Sequence, residues 1–249
     1  WHTEVANPAL PATPIDAVVW AGAALFVNRG DGVLVKLDAA TGRKQWEFQL
    51  QKPPRGAPLV VGDAVYVSTG FDGARLFAID AVTGDMRWSI EELTNPVTGP
   101  VMGDGLLYVP FASGEIVALD PASGEQRWRA IIGLVGTDDP TRPSPGLPLL
   151  QDGVVYASSS GFYGAATEAL DAATGAQRWI ATTGDFSAGA PALHNGVLLV
   201  GSDSGELLGL DPATGAELWR LPIPDAIHLD LSKADPPSLG TNAIFVTEK

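Results

Sequence analysis

The chain has 249 residues, 45% of them hydrophobic, with 29 glycines, 20 prolines and no cysteine, and its 15 Lys/Arg against 29 Asp/Glu give a formal charge of −14. Such acidity, with no basic cluster to offset it, repels phosphate backbones and argues against a nucleic-acid partner. The lack of cysteine excludes disulfides and thiolate zinc sites, and no apolar run is long enough to span a bilayer as a helix.

The N-terminus, Trp1-His2-Thr3-Glu4, has neither the charged nor the apolar region of a leader. The simplest expectation is that an upstream segment precedes it. A first strand is expected around Ile15 to Val19, with Trp1 as the remnant of a preceding repeat.

Five copies of Asp-x-x-(Thr/Ser)-Gly-x-x-x-Trp then follow, four of them with Leu before the Asp. They are built on Asp38, Gly42 and Trp46; Asp80, Gly84 and Trp88; Asp120, Gly124 and Trp128; Asp171, Gly175 and Trp179; and Asp211, Gly215 and Trp219. Successive aspartates lie 42, 40, 51 and 40 residues apart, so one repeat carries an insertion of about ten residues. The third repeat shows the common plan. Strands are expected over Val97–Met102, Leu106–Val109, Ile116–Asp120 and Gln126–Ala130, with turns at Asp104-Gly105 and Ser113-Gly114. The first turn recurs at Gly62-Asp63, Asp152-Gly153 and Asn195-Gly196, dipeptides suited to tight hairpins.

Four antiparallel strands per forty residues is the blade of a β-propeller. The fold class expected is all-β, with five full blades and partial blades at both ends. Ser238 to Val246 supply the first two strands of the last one. A β-solenoid fits poorly, since it needs shorter coils and no hairpins. Each signature residue has a structural task. The Asp accepts hydrogen bonds from turn N–H groups, the Gly takes a left-handed conformation, and the Trp packs between neighbouring blades.

Irregular residues concentrate in the second-to-third strand turns and the blade-to-blade connections, which share one face. Candidate binding residues there are Phe71, Asp72, Asp138, Asp139, Arg142, Phe162, Tyr163 and His228, because irregular loops on a rigid scaffold are the usual place for recognition. No nucleophile elbow, metalloprotease helix or phosphate-cradling loop is present. The three histidines, His2, His194 and His228, are scattered, and the Asp-Gly pairs lack the ligand spacing of a calcium loop.

The segment Ile116 to Trp128, with Val65-Tyr66-Val67 upstream of the second signature, resembles the pyrroloquinoline-quinone (PQQ)-type propeller repeat. This BamB-like family has the pattern Leu-x-Ala-Leu-Asp-x-x-Thr-Gly-x-x-x-Trp. The resemblance covers nearly the whole chain and implies one propeller domain over 1–249; closed rings of seven or eight blades are the family habit, so that the chain reads as a fragment of a larger propeller or an unusual permuted unit. It is similar to PQQ-dependent alcohol dehydrogenases, to BamB-type lipoproteins of outer-membrane assembly and to sensor domains of bacterial kinases. The dehydrogenases generally stack PQQ between a Trp and a vicinal disulfide beside calcium, and that disulfide is impossible here. The expectation is therefore a non-catalytic scaffold, binding or sensor domain that presents its loop-rich face to a protein, peptide or small ligand in the periplasm or another extracytoplasmic setting. The alternative is a PQQ-dependent alcohol or sugar dehydrogenase, or a piece of one, with PQQ and calcium as cofactors and Arg29, Arg55 and Arg75 as candidate anion contacts.

Overall fold

Short runs rich in Val, Leu, Ile and Tyr, cut at close intervals by Gly, Asp or Pro, build strands; the inner ones, such as 64–69 and 115–119, are buried along their whole length, and alternation is confined to outer ones such as 44–49. A computed structural model describes residues 14–70, 73–93, 96, 98–133, 144–161, 164–184, 190–202, 205–222, 238–239 and 244–245. Among them are 23 strands and no helix. The first sheet is β1 (Ile15–Ala21), β2 (Ala24–Arg29), β3 (Val33–Asp38) and β4 (Lys44–Gln49). The second is β5 (Pro54–Val61), β6 (Ala64–Thr69), β7 (Ala74–Asp80) and β8 (Met86–Leu93), and the third is β9 (Val101–Gly103), β10 (Leu106–Phe111), β11 (Glu115–Leu119) and β12 (Gln126–Ile131). The fourth comprises β13 (Ser144–Pro145), β14 (Leu149–Gln151), β15 (Val154–Gly161), β16 (Gly164–Asp171) and β17 (Gln177–Gly184). The fifth is β18 (Ala192–His194), β19 (Val197–Ser202), β20 (Glu206–Leu210) and β21 (Glu217–Pro222), and a short pair, β22 (Ser238–Leu239) with β23 (Ile244–Phe245), follows. Within each sheet the strands run in sequence order and antiparallel, which is the order of a propeller blade.

The chain forms two compact units, one of residues 1–101 with the turn 120–125, the other of 102–119 and 126–249. In the first, Phe26, Leu34, Leu50, Val65, Val67, Phe77 and Ile79 bury a continuous apolar layer between the first two blades. Phe48 meets Phe77 edge-on there, with ring centroids 5.5 Å apart. In the second, Val154, Tyr156 and Ala169 pack on Leu198, Val200, Leu208 and Leu210.

The first strands are shorter or more broken than their sequence suggests. The third blade opens at Val101, four residues later than expected, after Gly99-Pro100. In the fourth blade the first strand splits into β13 and β14, both paired with β15, around Gly146-Leu147-Pro148. The second blade has the same interruption as a bulge at Gly56-Ala57-Pro58 between the Arg55–Ser68 and Leu59–Tyr66 pairs. Proline removes a ladder donor and Gly56, at φ +70°, takes a conformation closed to most side chains.

The hairpin turns are of two kinds. Asp104-Gly105, Asp152-Gly153 and Asn195-Gly196 have positive φ at both residues, the type I′ pattern. At Gly22-Ala23 and Gly62-Asp63 only the glycine is positive, the type II′ pattern. The long interval before Asp171 is also shared between two places. Part of it lengthens β15 and β16 to eight residues each, against six and five for β10 and β11, and the rest falls in the connection before β13.

Candidate functional site

At the tight-turn end of each blade the signature side chains converge. Asp80 Oδ1 accepts the N–H groups of Val82 and Thr83 at 2.8 and 2.9 Å, and Asp38, Asp120, Asp171 and Asp211 make the corresponding bonds. Gly42, Gly84, Gly124, Gly175 and Gly215 all have φ between +69° and +82°. The Trp then reaches the following turn. Trp46 Nε1 donates to Ala81 O, Trp88 to Pro121 O, Trp128 to Ala172 O and Trp179 to Pro212 O, at 2.9–3.3 Å. A tyrosine joins it on the same oxygen: Tyr66 on Pro121, Tyr108 on Ala172 and Tyr156 on Pro212. Burial pushes the Tyr108 hydroxyl up to about 12, so it remains a donor throughout the neutral range. In the first blade Phe26 stands where the tyrosine would be, and Lys36 Nζ supplies the second donor to Ala81 O at 2.8 Å.

Trp219 departs from this set. It is 38% exposed, and it lies over Gly209 of its own sheet, where a Cβ would come within 2.6 Å of its ring atoms. The fifth blade has Leu199 and Gly209 at the positions of Tyr and Ala in its neighbours, so the indole settles into the space they vacate.

A second recurring device escaped the sequence. The register of the third and fourth strands slips by one residue just before every signature Asp. The extra residue is Gln45, Arg87, Arg127, Arg178 or Leu218, and a bulge re-aims its side chain. Arg87 turns back to grip Asp80 at 2.7 Å and Asp63 at 3.0 Å, tying both turns of its blade together. Arg178 likewise holds Asp171 and the Gly153 carbonyl. The guanidinium, seconded by the Thr174 hydroxyl, holds the Asp171 carboxyl at about 2. Open grooves of about 470 Å³ beside Arg127 and Arg178, and about 420 Å³ beside Lys36 and Gln45, lie at this end. One occurs in each unit at corresponding positions, so they follow from the repeat and single out no ligand site.

The candidate loop residues Phe71, Asp72, Asp138, Asp139, Arg142, Phe162, Tyr163 and His228 lie outside the described residues, as does the expected blade remnant at Trp1. The three arginines lie on strands of the first unit. Arg29, 8% exposed, pairs with Asp31, and this bond raises its pKa. Arg75 pairs with Glu91 at 2.5 Å. Arg55 stands opposite Ser68 and lies against Gly70, where a Cβ would sit 2.8 Å from its Cγ. Nearby, Asn28 donates to the Gly56 carbonyl at 3.0 Å, while Asn28 Oδ1 and Ser68 Oγ are buried with no partner among the described residues. His194 sits beside its hairpin turn against Asn195 Nδ2 at 3.0 Å.

In the second unit the fourth blade carries buried polar groups through its centre. Ser158 Oγ and Thr167 Oγ1 are hydrogen-bonded at 2.9 Å, and Glu168, 1% exposed, accepts from the Gly133 amide and from Gln177 Nε2. Burial raises the Glu168 pKa, partly offset by those two donors. Ser159 Oγ and Thr183 Oγ1 are buried without partners among the described residues. For Thr167 and Glu168 the signal was in the sequence, since both stand at positions that are apolar in the other four repeats.

Among the described residues no set of side chains fits a quinone with calcium. Among the described residues no three His, Asp or Glu side chains gather to hold a metal ion. Two of the three candidate arginines are already matched by carboxylates of the chain, and the sequence has no cysteine.

Repeated four-stranded antiparallel blades, locked by Trp and Tyr to the next signature turn, define a β-propeller. The chain belongs to the family described as outer membrane protein assembly factor BamB, of the PQQ-like repeat type, which matches it over residues 1–168 and 164–248. It is 24% identical to BamB of Moranella endobia (strain PCIT) over 212 residues, 78% of this chain and 54% of that protein. It is 37% identical to the serine/threonine-protein kinase AfsK of Streptomyces coelicolor over 191 residues, 74% of this chain and 21% of that protein. The crystal structure of BamB from Moraxella catarrhalis shares the fold, with a TM-score of 0.66 and 22% identity over 84% of this chain and 63% of that one. The chain spans about half the length of the curated BamB relatives named by the family.

Proposed function

We propose that the chain, acting as one propeller domain over 1–249, is a non-catalytic bacterial scaffold that offers its loop-bearing end to a protein partner in an extracytoplasmic compartment. Its membership of the BamB family supports a protein partner, and we infer that the partner is a component of outer-membrane protein assembly. The observation that carries this reading is the state of the candidate arginines: Arg29 and Arg75 are committed to Asp31 and Glu91, so the chain's own carboxylates hold the charges that an anionic cofactor would need. At the tight-turn end the polar side chains are engaged in latches and the grooves follow from the repeat, which favours the loop-bearing end for recognition. The net charge of −14 further favours a partner that is not nucleic acid.

The test has two arms. Titration with PQQ, with and without calcium, should leave Trp fluorescence and the melting temperature unchanged; saturable quenching with a raised melting temperature, followed by alcohol oxidation, would overturn the scaffold reading. A photo-crosslinker at Phe162 should capture an assembly factor in envelope fractions, whereas one at Ala122, in a tight turn, should not. Equal capture from both positions would refute the assignment of the loop-bearing end.

A further inference from the structure

Aligned on the signature Asp, the third strands of the five blades disagree at one buried place. The residue three before the Asp is Val35, Phe77, Val117 and Leu208 in four blades, each at most 3% exposed, and Glu168 in the fourth blade at 1%. The residue before it is Leu34, Leu76, Ile116 and Leu207 in the same four, and Thr167 here. Thr167 is satisfied within its own sheet by Ser158. Glu168 reaches out of its sheet to the main chain at Gly133, with Gln177 Nε2 donating to its second oxygen at 2.8 Å.

Gly133 is the point at which the chain leaves the third blade. Ile132 still donates to the Gly114 carbonyl at 2.9 Å, and Gly133 then turns at φ +89°. The first blade ends in the same way. Leu50 donates to Gly32 O at 2.8 Å and Gln51 turns at φ +67°, but the corresponding residue of the next blade is Phe77, which offers no acceptor. Among the described residues, it is at the exit from the third blade, within the 51-residue interval, that the following blade supplies a carboxylate for the departing chain.

A carboxylate held among apolar strands, with no charged side chain contributing to its environment, opposes folding. A rule broken at one repeat and kept at four others marks a place where something other than stability is served. We propose that Glu168 is a positioning residue of the loop-bearing end: its carboxylate fixes the main chain at Gly133 and so sets where the connection between the third and fourth blades leaves the sheet. The biological weight of this role rests on the proposed use of that end for partner binding, but its test needs no partner.

Amide hydrogen exchange at Gly133 and Ile132 is measured in the full chain, in Glu168→Val, which supplies the residue type the other blades use, and in Glu168→Gln, which keeps one acceptor. Loss of a hydrogen bond to a charged group predicts exchange at Gly133 about tenfold faster in Glu168→Val, with substantial retention in Glu168→Gln and no change at Ile132. Unchanged Gly133 exchange in a folded Glu168→Val chain overturns the proposal. If that variant does not fold, Gln177→Ala with Glu168→Gln serves instead: Gly133 exchange must rise in the double variant above either single change, and a flat result overturns the role equally. Failure to find a protein partner would leave the exchange result intact, so the two readings fall separately.

Discussion

Trp128 lies on Gly175 so closely that a Cβ there would meet the indole at 2.6 Å. The same relation joins Trp46 to Gly84, Trp88 to Gly124 and Trp179 to Gly215, with approaches of 2.5–2.9 Å. The signature glycine therefore answers two demands at once. It takes a left-handed φ in its own turn and leaves room for the indole of the blade before it.

Gly175 and Gly153 both have φ +73°, but a Cβ at Gly153 would meet nothing within 4 Å. Gly153→Ala should cost about 1 kcal/mol for the backbone alone. Gly175→Ala should cost about 1–3 kcal/mol more through overpacking against Trp128. Urea unfolding of the two variants separates the terms, and equal midpoints would contradict the packing role.

Trp128 is 7% exposed and Tyr108 is fully buried. Trp128→Ala should remove about 3–5 kcal/mol of stability. Tyr108→Phe should remove only about 1 kcal/mol, because Trp128 still donates to the Ala172 carbonyl. Equilibrium denaturation should preserve that ranking.

The Asp171 carboxyl is held at about 2, below its unfolded value of about 3.9, so its stabilising contribution is complete above the unfolded value and is lost as pH falls through the folded one. Asp171→Asn should flatten the acid limb of stability between these two values. In Arg178→Gln the carboxyl should titrate at higher pH, visible in its side-chain carbon shift.

Glu168 has the opposite sign. Its raised pKa means that its favourable contribution is present below the unfolded value, about 4.3, and is lost as pH rises through the folded one. Relative to Glu168→Gln, the native chain should therefore lose melting temperature as pH rises above the unfolded value. Parallel curves for the two proteins would show that the carboxylate is not desolvated.

The blades were legible because their information is local. Asp-Gly and Asn-Gly give type I′ turns, and an Asp before Thr-Gly binds N–H groups two and three residues on. Two readings needed more than neighbours. Gly62-Asp63 differs from Asp152-Gly153 in placing the flexible residue first, and that order changes the turn type. The late start of β9 and the split of β13 from β14 follow from Gly99-Pro100 and Gly146-Leu147-Pro148. The second of these resembles Gly56-Ala57-Pro58, so the interruption is itself a repeated sequence pattern. The arginines were harder. Whether Arg29 faces a ligand or Asp31 depends on a hairpin turning it back, and Arg87 reaches Asp63 only because a bulge re-aims it. Glu168 is informative by its difference from the other repeats, and a motif common to all five does not display it.

Each Trp lock between consecutive blades ends on a main-chain oxygen, that of Ala81, Pro121, Ala172 or Pro212. A carbonyl is offered by any residue, so the receiving turn can change its side chain without breaking the joint. A duplicated blade can then be inserted beside an older one and fit at once, with no pair of side chains to co-adapt. The joint is generic, and that is a physical reason why chains of this kind can lengthen by whole repeats while their individual blades drift apart in sequence.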